Sequence, residues 1–168
     1  MPMHNELTKV DIEKMKAELA EREAKIPAQQ EEVKRTREYG DLSENDEYRC
    51  AKRELNSNRS RIRYLQNMIN TAVIITTDSA ADVVGLFDWV EIYLPEDDET
   101  RTVRIVTTLR VNVFIDAVSK ESPFGKALLG HKAGETVTVR VDDTLSYPVR
   151  IVSIRKGEDD PDLPITRY

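Results

Sequence analysis

Gly40-Asp41-Leu42-Ser43-Glu44-Asn45 separates two stretches that repeat apolar residues every seven positions. Before it, Ile12, Leu19, Ile26 and Val33 recur at that period, with Met15 three after Ile12. After it, Tyr48, Leu55, Ile62 and Ile69 do the same, with Ala51, Leu65 and Ala72 three after Tyr48, Ile62 and Ile69. A sustained heptad pattern describes a coiled-coil seam, so residues 8–75 read as two long helices. Gly40 is a natural helix stop because glycine accepts the left-handed conformation that follows a helix end. Asp41-Leu42-Ser43 is then a short connection, with Ser43 as the expected cap of the second helix. Helices joined by so few residues run antiparallel. At 1.5 Å per residue, about 30 residues extend roughly 45 Å, which puts Gly40–Glu44 at the far end of the pair.

The seam is imperfect. Arg22, Gln29, Thr36 and Asn58 fall on inward positions, where polar groups weaken packing but fix register. Thr8-Lys9-Val10-Asp11 has the form of a capping box and starts the first helix. Pro27 removes one backbone hydrogen bond inside that helix and is expected to kink or locally break it.

From Val73 the period changes. Trp89–Leu94, Thr102–Val106, Val113–Val118, Thr136–Val141 and Val149–Ile154 are rich in β-forming residues and often alternate. Pro95–Glu99 and Asp142-Asp143 read as turns. Ser122–Gly130 reads as a short helix with proline at its start and glycine after its end. The fold class is α+β: a helical hairpin over 1–75 with an acidic tip at 40–45, a compact, mostly antiparallel sheet domain over 80–155, and an acidic tail over 156–168. That tail holds four acids and two prolines and reads as loose.

Net charge is −6, which argues against a general DNA-coating protein. Residues 49–63 nevertheless carry Arg49, Lys52, Arg53, Arg59, Arg61 and Arg63 against the single acid Glu54. A basic strip on an acidic chain suits docking on a mixed surface. One cysteine, Cys50, forms no internal disulfide, and with no signal pattern and no membrane-length apolar run the reading is cytoplasmic. Neither Cys50 nor His131 has a partner pattern for metal binding or nucleophilic catalysis.

The hairpin ending in Gly40–Asn45, continuing through Asp46-Glu47-Tyr48, resembles the bacterial Gre-type transcript-cleavage factors. Pro27 falls where that family often has proline. Ser122-Pro123 followed by Gly125-Lys126-Ala127-Leu128-Leu129-Gly130 is similar to its C-terminal motif. The resemblance implies an accessory factor, not an enzyme. Its hairpin would enter the secondary channel of bacterial RNA polymerase and stimulate the polymerase's own cleavage of backtracked RNA. It implies that Asp41 and Glu44 share a Mg²⁺ with the polymerase, with no cofactor bound tightly to the chain alone. Arg37 and Lys52 would face the nascent RNA 3′ segment. It also implies an FKBP-like sheet domain that grips the channel rim, with Ser122, Pro123 and Phe124 as docking candidates.

Each residue also has a plainer reading. Acids at a helix start stabilise its dipole, and for Asp46 and Glu47 that is the default. Arg59, Arg61 and Arg63 read as a solvated face with helix ion pairs such as Glu54–Arg61. Tyr48 reads as packing beneath the tip, and Ser122 as a helix cap. Phe87, Trp89 and Phe114 serve either a core or an interface, and the sequence leaves oligomeric state open. Two departures from the family stand out. Its Gly-Pro-x-Glu-Ala-Asp stretch is replaced by Val106–Asn112, which gains Arg110, and the acidic tail extends past the usual ending. Rival functions are a channel-binding inhibitor without cleavage activity, a stand-alone coiled-coil module, and a prolyl isomerase or chaperone built on the sheet domain.

Overall fold

The computed structural model describes residues 5–38 and 45–166. The chain divides into two units, one formed by Ile12–Ala72 and the other by residues 1–11 together with residues 73–167. The described residues 5–11 thus group with the unit that contains the sheet.

The helical unit consists of α1, Lys9–Arg37 beyond its first residues, and α2, Asp46–Thr71. Along α2 the buried positions are Ala51, Leu55, Asn58, Arg61 and Leu65. Four of these are the inward heptad positions; Arg61 is not. It lies beside the seam and reaches across to Glu18 of α1, with Nε and Nη2 donating to the two carboxylate oxygens at 3.0 and 3.2 Å. The side chains of Arg61 and Glu18 are 6% and 1% exposed. Arg61 is therefore a buried interhelical partner of Glu18 and not a solvated partner of Glu54. Arg22 adds a second cation to Glu18 at 2.6 Å and donates to Asn58 Oδ1 at 3.2 Å. Asn58 donates in turn to the Arg22 carbonyl and to Gln29 Oε1. These contacts between residues 18–29 and 58–61 give the helices their antiparallel register. α1 runs through Pro27 without a break.

The other unit is a five-stranded mixed sheet. Its strands are β3 (Trp89–Leu94), β4 (Glu99–Val106), β5 (Ala117–Ser119), β6 (Thr136–Arg140) and β7 (Ser146–Arg155), in the spatial order β5-β4-β3-β7-β6. All pairings are antiparallel except β4 with β5. Alternation sends Val90, Ile92 and Leu94 of β3, Val137 and Val139 of β6, and Val149 and Ile151 of β7 inward, where they meet Leu128 of α3 (Pro123–Leu128). Burying each such side chain contributes about 1.5–3 kcal/mol. A separate parallel pair joins β1 (Glu6–Leu7) to β2 (Val73–Ile74), so the chain leaving α2 returns beside its own beginning.

Two segments differ from the sequence reading. Val113–Ile115 is a 3₁₀ turn, and the strand is only Ala117–Ser119. The Asn112 side chain accepts a hydrogen bond from Phe114 N–H, and Asp116 takes a left-handed conformation; together they fold a β-prone stretch into a turn. The acidic tail is packed, with Leu163 and Ile165 buried. No helix among the described residues is long and apolar enough to cross a membrane.

Burial alone would push the Glu18 carboxyl up, but the hydrogen bonds and charges of Arg61 and Arg22 outweigh it and hold the group below the ordinary glutamate value. A group whose pKa is depressed by folding adds stability above its unfolded pKa and loses it as pH falls through the folded one. Glu18→Gln is expected to cost about 3 kcal/mol at neutral pH, because it removes the counter-charge of buried Arg61 and of half-buried Arg22. The difference from the unsubstituted chain should shrink as pH drops below about 4. Thermal unfolding of both chains between pH 7 and pH 3 checks it; a difference independent of pH would contradict the ionised pairing.

Candidate functional site

The end of the hairpin is organised by Asn45. Its Oδ1 accepts the Tyr48 N–H at 3.0 Å, capping α2, while its Nδ2 donates to the Thr36 carbonyl at 2.6 Å. One amide therefore satisfies an orphan donor at the start of α2 and an orphan acceptor in the last turn of α1. Both of its orientations are fixed by chemistry, since only the oxygen can accept and only the nitrogen can donate. Thr36 is itself buried, its hydroxyl bonded to the Glu32 and Val33 carbonyls. The cap is thus Asn45, and not Ser43. Thr36 and Asn45 are in contact, so the last turn of α1 and the start of α2 lie side by side. Asp41 and Glu44, with Gly40 and Ser43, lie outside the described residues.

Local charge follows the helix dipoles. Lys34, Arg35 and Arg37 occupy the last turn of α1, and Asp46 and Glu47 the first turn of α2. Arg37 is exposed at the final helical position. Lys52 is exposed one turn along α2, its ammonium 5.9 Å from the centre of the Tyr48 ring. Tyr48 is half-buried, as a packing residue beneath the tip would be.

Arg49, Lys52, Arg53, Asn56, Ser57 and Ser60 line an open depression of about 510 Å³. Their spacing of three and four places them on one helix face, away from the buried row that begins at Ala51. Cations and small polar groups on such a face can hold phosphate oxygens without reading bases. Arg49 also pairs with Asp46 at 3.9 Å.

In the sheet unit, Ser122 caps α3. Its hydroxyl accepts the Gly125 N–H at 3.1 Å and donates to the Ser119 carbonyl at 2.6 Å. A Cβ at Gly125 would stand 2.2 Å from the Ser119 carbonyl oxygen, so the tight turn requires glycine there. Pro123 is exposed, whereas Phe124 packs edge-on against Tyr147 with ring centres 6.0 Å apart. Lys120 beside them pairs with Glu6 and Glu121. Burial would lower its ammonium, but the two carboxylates outweigh that and hold it above the ordinary lysine value. Ser122, Pro123 and Phe124 thus stand together at the start of α3, with the Ser122 hydroxyl already engaged.

Cys50 is exposed and His131 pairs with Glu135. Among the described residues no cluster of three or more His, Cys, Asp or Glu could hold a metal ion. Asp41 and Glu44 supply hard carboxylate oxygens, the donor type Mg²⁺ prefers, though two are fewer than a resident site uses. The sequence reading missed Asn45, whose signal was an Asn three residues before the first seam residue of α2.

Two family descriptions match the chain. The transcription elongation factor N-terminal domain covers residues 5–74, and the GreA/GreB C-terminal domain covers residues 78–156. Transcription elongation factor GreA of Thermosipho africanus is 39% identical over 135 residues, spanning 80% of this chain and 86% of the relative. That of Streptococcus pneumoniae is 37% identical over 152 residues, spanning 89% and 94%. Among solved structures, the transcription factor Gfh1 aligns over 92% of this chain and 99% of its own, at 28% identity and a TM-score of 0.45.

Asn45→Ala removes both hydrogen bonds and is expected to cost about 1–2 kcal/mol. Asn45→Asp keeps the cap but cannot donate to Thr36, so hydrogen exchange should rise in the last turn of α1 while Tyr48 stays protected. Equal loss of protection at both helix ends in the Asp variant would contradict the division of work assigned to the two amide atoms.

Proposed function

The chain belongs to the GreA/GreB family of transcription elongation factors, and from that premise we propose that it enters the secondary channel of bacterial RNA polymerase and stimulates cleavage of backtracked RNA. The observation that carries this reading is the sequence Gly40-Asp41-Leu42-Ser43-Glu44-Asn45, set between two antiparallel helices whose ends Asn45 ties together.

Asp41 and Glu44 lie three residues apart next to the start of α2 and bring two carboxylates to the polymerase's catalytic centre. Mg²⁺ held there jointly by factor and polymerase would stabilise attacking and leaving oxygens in phosphoryl displacement. Asp41 and Glu44 orient the attacking water; the polymerase supplies the remaining ligands and the bond-breaking centre. Arg37 and Lys52 attract the phosphates of the extruded RNA 3′ segment, and the α2 face from Arg49 to Ser60 extends that potential. Ser122, Pro123 and Phe124 form the docking element at the rim of the channel.

The test is to add the protein to backtracked elongation complexes with Mg²⁺ and follow release of short 3′ RNA fragments. Asp41→Asn and Glu44→Gln are each expected to lower cleavage roughly 10–100-fold, with polymerase binding retained. Arg37→Ala and Lys52→Ala should weaken the effect less and reduce its salt sensitivity. Polymerase inhibition without fragments would replace this reading with that of a channel-blocking inhibitor; absence of polymerase binding would overturn both.

A further inference from the structure

The residues after Lys156, beyond the part of the chain matched to the family, are tied into the sheet unit at almost every step. Lys156 Nζ donates to Ser79 Oγ, to the Val83 carbonyl and to the buried carboxylate of Asp88. Gly157 N–H donates to the other Asp88 oxygen at 2.9 Å. A Cβ at position 157 would lie 2.1 Å from the Phe87 carbonyl oxygen, so the chain passes where only glycine fits. Arg104 donates to the carbonyls of Phe87 and Glu158 at 3.0 and 3.1 Å. Further on, Leu163 and Ile165 are buried, and Thr166 N–H donates to the Leu109 carbonyl at 2.6 Å.

At the centre stands Arg110, whose side chain has no exposure. Its Nη2 donates to Asp159 Oδ1 and its Nη1 to the Asp160 carbonyl, both at 2.9 Å. Its Nε lies 2.8 Å from Asp11 Oδ1, an ion pair without hydrogen-bond alignment. Asp11 is equally buried, and Asp159 is 11% exposed. A second buried cation, Arg104, lies close by. Both guanidiniums sit 5.6 Å from the centre of the Phe87 ring. Two buried cations need counter-charge. Asp11 provides it from the beginning of the chain, Asp159 and Asp160 from its other end.

Thr8 joins the two ends directly. Its hydroxyl accepts the Asp11 N–H at 3.2 Å, while Asp11 Oδ2 accepts the Thr8 N–H at 3.1 Å, the reciprocal pair of a capping box. The same hydroxyl donates its proton to Asp159 Oδ2. The cap of α1 and the buried guanidinium therefore share one carboxylate contributed by the tail.

We propose that residues 156–166 are an intramolecular clasp: they close over Arg104 and Arg110 and, through Asp159, hold Glu6–Asp11 and the start of α1 on the sheet unit. Arg110 and the acidic tail then form one device, in which the arginine needs the tail's acid and the tail needs the arginine to be held. Opening the clasp frees the first residues of α1 while leaving the five-stranded sheet and the hairpin seam intact. Coupling of this kind is reciprocal.

The experiment is hydrogen–deuterium exchange on full-length chains. Asp159→Asn is expected to speed exchange of residues 6–11 at least about tenfold, with residues 51–65 and 90–94 unchanged. Thr8→Val, which alters the other partner, is expected to speed exchange of residues 158–166. Should Asp159→Asn fail to fold, Leu163→Ala loosens the tail without touching Arg110 and is expected to raise exchange at 6–11 about threefold. The proposal is overturned if the Asp159 or Leu163 variant affects the tail alone, if Thr8→Val leaves 158–166 protected, or if exchange rises equally in the sheet core.

Discussion

The pairing of Glu18 with Arg61 is the constraint on which the helical unit depends. A seam built only from apolar residues gains nearly the same burial in several registers, because one hydrophobic side chain replaces another at little cost. A carboxylate with 1% exposure does not tolerate that. If α1 shifts along α2, Glu18 keeps only Arg22 of its own helix, and the buried guanidinium of Arg61 loses its bidentate carboxylate, a penalty of several kcal/mol. Asn58 reinforces the choice, because its amide is divided between the backbone of Arg22 and the side chain of Gln29. Both sites give up some packing energy in return for a single arrangement, the best-supported use of buried polar groups between helices.

The sheet unit solves a related problem differently. Its apolar core is assembled by strand alternation and tolerates volume-conserving exchange. Among the described residues, the segments outside that sheet have no strand ladder of comparable length: β1 and β2 contribute only two residues each. Charge supplies what backbone pairing does not. Arg110 is surrounded by Asp11, Asp159 and the Asp160 carbonyl, groups separated by nearly the whole chain. Trp89 lies between two more cations, with Arg104 at 3.9 Å and Arg155 at 4.3 Å from its ring, so the aromatic edge of β3 is also covered by arginine.

What could be read in advance follows from how local each signal is. The helix pair was legible because Leu55, Leu65 and Met15 report their burial through spacing alone, and the Thr8–Asp11 box because both members lie within one turn. Arg61 was read as solvated because a cation next to a seam looks the same whether it points outward or across, and its partner lies 43 residues away. Arg110 and the tail were read as two unrelated departures; only the folded chain places Asp159 against the arginine. Val113-Phe114-Ile115 misled by composition: three β-prone residues are turned by the side chain of Asn112, leaving Phe114 95% exposed. At the tip, Asp41 and Glu44 stand out in sequence through the motif that contains them and lie outside the described residues, while the role of Asn45, the last residue of that motif, depends on the Thr36 carbonyl nine residues earlier.

These features bear on one another through the tolerance of phosphoryl chemistry. On the function proposed here, two carboxylates must meet a metal and a water inside another protein, where a misplacement of about 1 Å can cost a hundredfold in rate. A helix advances 1.5 Å per residue, so a slip of even one position between α1 and α2 exceeds that tolerance. An apolar seam alone does not forbid such a slip. The buried pair Glu18–Arg61, the shared amide of Asn58 and the tie from Asn45 to Thr36 act at successive points along the hairpin, each rejecting a shifted register. The polar interruptions that make the seam look weak in sequence are therefore what a delivery arm requires: they trade packing energy, which the function does not need in excess, for position, which it does.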